Sequence, residues 1–229
     1  MRKLLTFTIW LFAITFLSSQ VEVKKIEYGI SLLPHFGTLM GGEGRSKSLL
    51  SFGYGIEPGL RVSIAKNLQL HAGLNFQKTK LAQRFNNFQW PDDNENGQWV
   101  PWKSHEQYEV EYYTLGFTAG ANLKLSQTPN YWAITAAGAV RQVFNEMDKL
   151  IINESGNPRE YNSDEIDTEL NKTQLFIGGG FSYNGSRFSV GPLIEYGLTD
   201  LLAENRGTAI WSFEGGRPVI IYLRVSYFI

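Results

Sequence analysis

Six ionisable residues stand on one parity of alternating apolar/polar stretches: Glu57, Arg61, His71, Arg141, Glu195 and Arg224. Gathered inside a narrow enclosure, such a set could do one of two things. Buried charges have to be paired, so the plain outcome is a salt-bridged plug that rigidifies the interior. The sharper outcome is a proton or ion path, which needs a wider bore than a small barrel gives. The plug is the preferred reading.

Catalysis by a nucleophile would require a Ser–His or Asp–His pair. The chain has three histidines, His35, His71 and His105, and no partner can be assigned to any of them. The chain is therefore read as a non-enzyme, and no cofactor is expected.

A third candidate is a metal site. Asp92, Asn94, Asn96 and Gly97 reproduce the first half of a D-x-[DN]-x-[DN]-G calcium loop. The bidentate Glu of the twelfth position is replaced by Lys103, which leaves half a coordination shell. Asp and Asn before Gly also serve any solvated turn, so calcium remains a weak candidate. The same segment carries Phe85, Phe88, Trp90, Trp99 and Trp102. Aromatics near a barrel rim most often form an interfacial girdle, but clustered ones can anchor a partner. Phe88, Trp90, Trp99 and Trp102, in the loop from about Leu81 to His105, are taken as the interaction surface.

The elements that must position these residues are strands. The stretch Val219–Ile229 places Val219, Ile221, Leu223, Val225, Tyr227 and Ile229 on one face, with Tyr222, Arg224 and Ser226 on the other. About eleven such residues match the ~9–11 of a tilted membrane-crossing strand. Similar alternation predicts strands over Ile26–Leu39, Ser51–Ile64, Leu68–Lys78, Tyr108–Leu125, Tyr131–Phe144, Asn171–Tyr183 and Arg187–Leu198. Polar stretches separate them, among them Gly41–Lys47, Thr79–Gln107, Asn145–Glu169 and Thr199–Gly216. Asn184-Gly185 is the strongest two-residue hairpin signal in the chain. Short and long connections alternate, the asymmetry of outer-membrane barrels, with short turns periplasmic and long loops extracellular. The fold expected is all-β: an eight-stranded antiparallel transmembrane barrel of up-and-down meander type.

Composition agrees. Aromatics are 14% of the chain, charged residues only 19%, and 23 glycines are present, low charge for a soluble domain. The net charge of −1 gives no electrostatic case for nucleic acid. There is no Cys, so disulfides and cysteine metal sites are excluded. Met1-Arg2-Lys3, the apolar run Leu4–Leu17 and Ser18-Ser19-Gln20 read as a signal peptide over 1–20, leaving 21–229 as one barrel domain. This addresses the chain to the outer membrane of a Gram-negative envelope as a monomeric barrel, surrounded by lipid.

The run from Gly53 to Lys78, and Gly191-Pro-Leu-Ile-Glu-Tyr-Gly-Leu-Thr-Asp-Leu201, resemble strands of the small Bacteroidota outer-membrane barrel family, the PorT-like group within the wider porin class. The resemblance implies fold and location, and no shared reaction. It also implies a C-terminal assembly signal at Leu223, Val225, Tyr227 and Ile229. Tyr227 matches the usual pattern, and Ile229 stands where the family has Phe. The expected role is structural or interactive, with an envelope partner bound through the extracellular loops. A narrow porin-like channel for small solutes is the alternative, and an outer-membrane hydrolase or acyltransferase the third.

Overall fold

The computed structural model describes residues 25–40, 46–88, 104–126, 128–154, 157–162, 170–201 and 216–229. Eleven strands appear among them: β1 (Lys25–Leu32), β2 (His35–Met40), β3 (Ser46–Leu49), β4 (Ser51–Ser63), β5 (Leu68–Phe88), β6 (Ser104–Lys124), β7 (Tyr131–Glu154), β8 (Asn157–Asn162), β9 (Thr173–Asn184), β10 (Phe188–Gly197) and β11 (Arg217–Phe228). All pairings are antiparallel. β1 and β2 are two halves of one stave, and both pair with β4 on one side and β11 on the other. The ring then runs β4, β5, β6, β7, β9, β10, β11, which closes eight staves into a barrel. Closure leaves no sheet edge within the ring, the condition for a sheet to live in lipid.

Parity decides what each residue does. On β5, Gln69, His71, Asn75, Gln77 and Thr79 are buried inside, while Leu70, Leu74 and Phe76 point out. Leu74 is 59% exposed and Phe117, its register partner on β6, is 48% exposed. Large apolar side chains with nothing packed on them recur on every stave of the ring. A band of that size on a protein's outside is a surface made for hydrocarbon. The fold is a transmembrane barrel.

Aromatic contacts mark the two rims of this band. Phe76, Tyr113 and Phe144 meet at centroid distances of 5.8–6.2 Å where the long connections lie. Trp132, Tyr183 and Phe188 meet at 5.4–6.2 Å near the short turns. These are the interfacial girdles. Phe85 and Phe88 lie on the part of β5 that runs beyond the loop-side rim.

Three expectations need correcting. The stretch Thr79–Gln107 is largely strand, because β5 continues to Phe88 and β6 begins at Ser104. Beyond the rim the outward face meets water, so Lys78, Lys80 and Arg84 replace apolar residues and the pattern reads as a loop. The inward face keeps its parity through Thr79, Leu81 and Gln83. Likewise β7 runs to Glu154 and turns back through β8, within the supposed loop Asn145–Glu169, and β3 occupies part of Gly41–Lys47 and continues to Leu49. The third correction is the β9–β10 turn. Asn184 pairs with Ser189 and Gly185 N–H donates to Phe188 O at 2.8 Å, so the two loop residues are Ser186 and Arg187. Asn184 is buried on the inward parity, its amide donating to Ser182 O and Oγ at 3.2 and 2.9 Å, which draws the strand past the expected turn.

The first stave breaks at Leu33–Pro34, where proline has no N–H to donate to a ladder. Its carbonyl still accepts from Leu223 N–H at 2.9 Å, so the closure with β11 survives the break.

Candidate functional site

An eight-stranded bore is just wide enough for side chains to fill. Here it is filled in two different ways. The half near the short turns, the turn end, is polar. The half toward the long connections, the loop end, holds large apolar side chains with the uncharged polar groups of Thr79, Gln83, Thr114 and Gln174 buried among them.

At the turn end Arg61 of β4 pairs with Glu27 of β1, directly opposite it in register, and Lys25 joins Glu27 at 2.8 Å. Arg224 of β11 reaches across β1 to Glu57 of β4. Nearer the middle, Arg141 of β7 reaches across β9 to Glu195 of β10, with side chains 2% and 3% exposed. Both long pairs cross a strand whose inward residue is small. Gly178 lies under Glu195, and a Cβ built on it would stand 2.8 Å from Glu195 Cγ. Gly73, Gly116 and Gly120 make the same room for Glu57, Arg141 and His71, with Cβ positions 2.5–2.7 Å from the side chain that covers each. A narrow bore can hold six charged side chains because its glycines give up that volume.

Arg141 also lies over the rings of Phe176 (4.3 Å) and Tyr222 (5.8 Å). Those rings belong to an apolar cluster with Leu33, Ala139, Leu193 and Ile220 that fills mid-bore. Tyr222 O–H donates across the bore to Gln77 at 3.0 Å. Farther toward the loop end, Leu39, Leu81, Val110, Tyr112, Leu170 and Leu201 are 0–4% exposed.

The six residues singled out from sequence fall into two pairs, one residue paired outside the set and one bystander. Glu57 and Arg224 pair, Arg141 and Glu195 pair, and Arg61 takes a partner outside the set, Glu27. His71 joins no pair: it lies opposite Arg61 and Gly120 in register, and neither ring nitrogen has a protein partner. Glu27 stands on the inward parity of the first strand, so parity could have found it, but only register says that Arg61 is its partner.

His35 is 1% exposed inside the bore. Its Nδ1 contacts Leu33 O at 3.0 Å and its Nε2 contacts Thr79 Oγ1 at 3.2 Å. Both ring nitrogens are engaged in packing the bore, and neither has a carboxylate to act with. His105 lies on β6, beyond the loop-side rim. No group of three His, Asp or Glu able to hold a metal occurs among the described residues. Trp90, Trp99, Trp102, Asp92, Asn94 and Asn96 lie outside the described residues, as does the 1–20 segment; Phe88 closes β5. Leu223, Val225, Tyr227 and Ile229 all face outward on the lipid side.

The second feature is the wall. β5, β6 and β7 have 21, 21 and 24 residues, about twice the ~9–11 a tilted strand needs to cross. Above the Phe76–Tyr113–Phe144 rim the outward face carries the cross-strand pairs Lys78–Glu111 (2.6 Å) and Lys80–Glu109 (2.7 Å). β3 flanks this extension on β5 and β8 on β7. Among the described residues the barrel therefore bears a projecting, water-facing sheet on the side of β5, β6 and β7.

Closed ring, lipid band, girdles and projecting sheet together define a small membrane β-barrel. No protein-family model and no curated protein matches the sequence. Solved structures do resemble it. Ail, the attachment invasion locus protein of Yersinia pestis, aligns at 14% identity over 89% of this chain and 98% of its own, TM-score 0.42. Its complex with the heparin analogue sucrose octasulfate aligns at 12% over 90% and 99%, TM-score 0.41. Neisserial surface protein A aligns at 10% over 90% and 99%, TM-score 0.38. Likeness at this level names nothing that the present chain binds or does.

Proposed function

We propose that this chain is an outer-membrane barrel of the PorT-like kind whose work is done by the projecting β5–β6–β7 wall, which presents an interaction surface for an envelope or cell-surface partner. The observation that carries the reading is the wall itself. Ten or so residues on each of three neighbouring strands stand clear of the lipid band, and function concentrates where a rigid scaffold holds chain out into solvent. The packed loop end favours the same reading over a channel, since Leu81, Val110, Leu170 and Leu201 are 0–1% exposed there. The short turns then face the periplasm and the wall faces outward. Trp90, Trp99 and Trp102, between the ends of β5 and β6, are the proposed anchors of the partner, because each brings large apolar area with one polar handle.

The chain has no cysteine, so single-cysteine probes are clean. On intact cells a membrane-impermeant maleimide should label Arg84→Cys, on the wall, and leave Leu74→Cys, in the lipid band, unlabelled. A photo-crosslinker carried at position 84 should capture one discrete adduct, lost when residues 89–103 are replaced by a short turn. Steady conductance by the purified barrel in planar bilayers, or an unchanged adduct after that replacement, would sink the proposal.

A further inference from the structure

We infer that the turn end of the bore holds a binding site for a small anion, of chloride to carboxylate size. The site is a cavity of about 40 Å³ lined by Arg61, His71, Asn122, Ser189, Arg224 and Phe228, among others. A water needs roughly 10–15 Å³ of such volume, so the space suits about three waters or a ligand of about three heavy atoms. The side chain of Arg224 is 20% exposed, so the cavity communicates with bulk water.

Its chemistry is one-sided. Glu27 and Glu57 hold Arg61 and Arg224 from behind, and neither carboxylate is part of the lining. A guanidinium carries five N–H donors, and the bond each arginine makes to its glutamate leaves donors over. His71 is 6% exposed, lines the cavity, and neither of its ring nitrogens meets a protein partner. In either neutral tautomer one of them is a donor, which an anion can take, and the other an acceptor. The Asn122 amide oxygen is already taken by Thr135 Oγ1 at 2.8 Å. Ser31, Thr135, Ser182, Asn184, Ser189 and Ser226 also line the chamber with groups that can donate or accept, so what makes it one-sided is charge: two guanidiniums and no carboxylate, which an anion satisfies and a cation does not.

The surroundings add to this. Lys25 and Lys124 stand at the same end, and Lys66 and Arg187 sit in the adjoining turns. Among the side chains of that end, cations outnumber carboxylates, and a narrow low-dielectric opening concentrates that field. The inference is independent of what the projecting wall does.

The test is line broadening of [13C]formate by the refolded full-length chain in detergent micelles, at fixed ionic strength with a bulky sulfonate as the bulk anion. Broadening should saturate, and chloride should displace it while inorganic phosphate, too large for the chamber, should not. Losing one charge-assisted hydrogen bond in His71→Phe should weaken binding about tenfold or more. Because that ring also packs over Gly120, Ser189→Leu serves as a second variant. It fills the chamber, leaves every charge in place, and should abolish saturable broadening. No saturable broadening in the wild-type chain, or equal broadening in Ser189→Leu, overturns the inference and leaves a chamber that holds water only. Displacement by phosphate as readily as by chloride moves the binding to the basic rim and overturns it too.

Discussion

The two halves of the bore solve one problem in opposite ways. A closed small barrel has to fill its inside with side chains, and every polar one it takes in costs desolvation. The loop end does it with Leu39, Leu81, Val110, Leu170 and Leu201, packed to near-zero exposure. The turn end does it with arginine–glutamate pairs laid over glycines, and keeps a wet chamber beside them. The first arrangement is a seal. The second is rigid at its charged pairs but leaves room for a guest. The contrast confines the charged pairs to the turn end and mid-bore and gives the loop end over to close-packed, uncharged side chains.

The largest effect is expected at the pair that divides the halves. Glu195→Ala strands the Arg141 guanidinium, whose side chain is 2% exposed. Removing one partner of a buried pair costs about 3–5 kcal/mol, whereas replacing both with apolar residues is often close to neutral. Urea unfolding in phospholipid vesicles, followed by tryptophan fluorescence, should show that loss in Glu195→Ala and recover most of it in Arg141→Met/Glu195→Leu. If the double variant is as unstable as the single, the pair does more than fill space.

Next is the seal. Leu81 is fully buried, and Leu→Ala in such a site costs roughly 2–5 kcal/mol through lost contacts and the cavity left behind. Ser189→Ala at the turn end removes a hydroxyl beside an existing chamber and should cost far less in the same assay. Equal losses would erase the distinction between a packed half and a wet one.

A smaller effect tests the glycine account. A Cβ on Gly120 would stand 2.5 Å from His71 Cε1, so Gly120→Ala should cost about 1–3 kcal/mol by overpacking. His71→Ala in the same chain removes the ring it collides with and should restore much of that loss. Two additive penalties instead would mean that the strain is in the backbone, where the Ala136 carbonyl also approaches Gly120.

How legible this was in the sequence follows from what alternation can encode. Inside the hydrocarbon band parity is written in residue type, so Leu70, Leu74 and Phe76 announce an outward face and Gln69, His71 and Asn75 an inward one. Past the band that contrast vanishes. Lys78 and Lys80 point outward as Leu74 does, but into water, and so the upper halves of β5 and β6 read as loop. Pairing was hidden for another reason. Parity puts Glu27, Glu57 and Arg61 on the same side, but which carboxylate meets Arg61 depends on register and shear, and neither is local. Glu27 was overlooked on that account. The height of His35 in the bore likewise follows from its register with Tyr222 across the closing seam, which is not local either.

The smallest effect is expected at Lys80, and it bears on the boundary between lipid and water. Its ammonium is 2.7 Å from Glu109, with side chains 36% and 17% exposed, on the outward face two register steps above Tyr113. If the rim formed by Phe76, Tyr113 and Phe144 marks the edge of the hydrocarbon, this pair stands in water. Lys80→Gln should then change stability by less than about 1 kcal/mol, as exposed pairs do, and the change should fade as salt rises. If the hydrocarbon instead reached Glu109, the same substitution would leave a carboxylate unpaired against lipid. The penalty would be several kcal/mol and would not respond to salt, because ions do not screen what they cannot reach. Unfolding of Lys80→Gln in vesicles at low and high salt separates the two. A large, salt-independent loss would pull the projecting wall down into the membrane and remove the surface on which the proposed interaction depends.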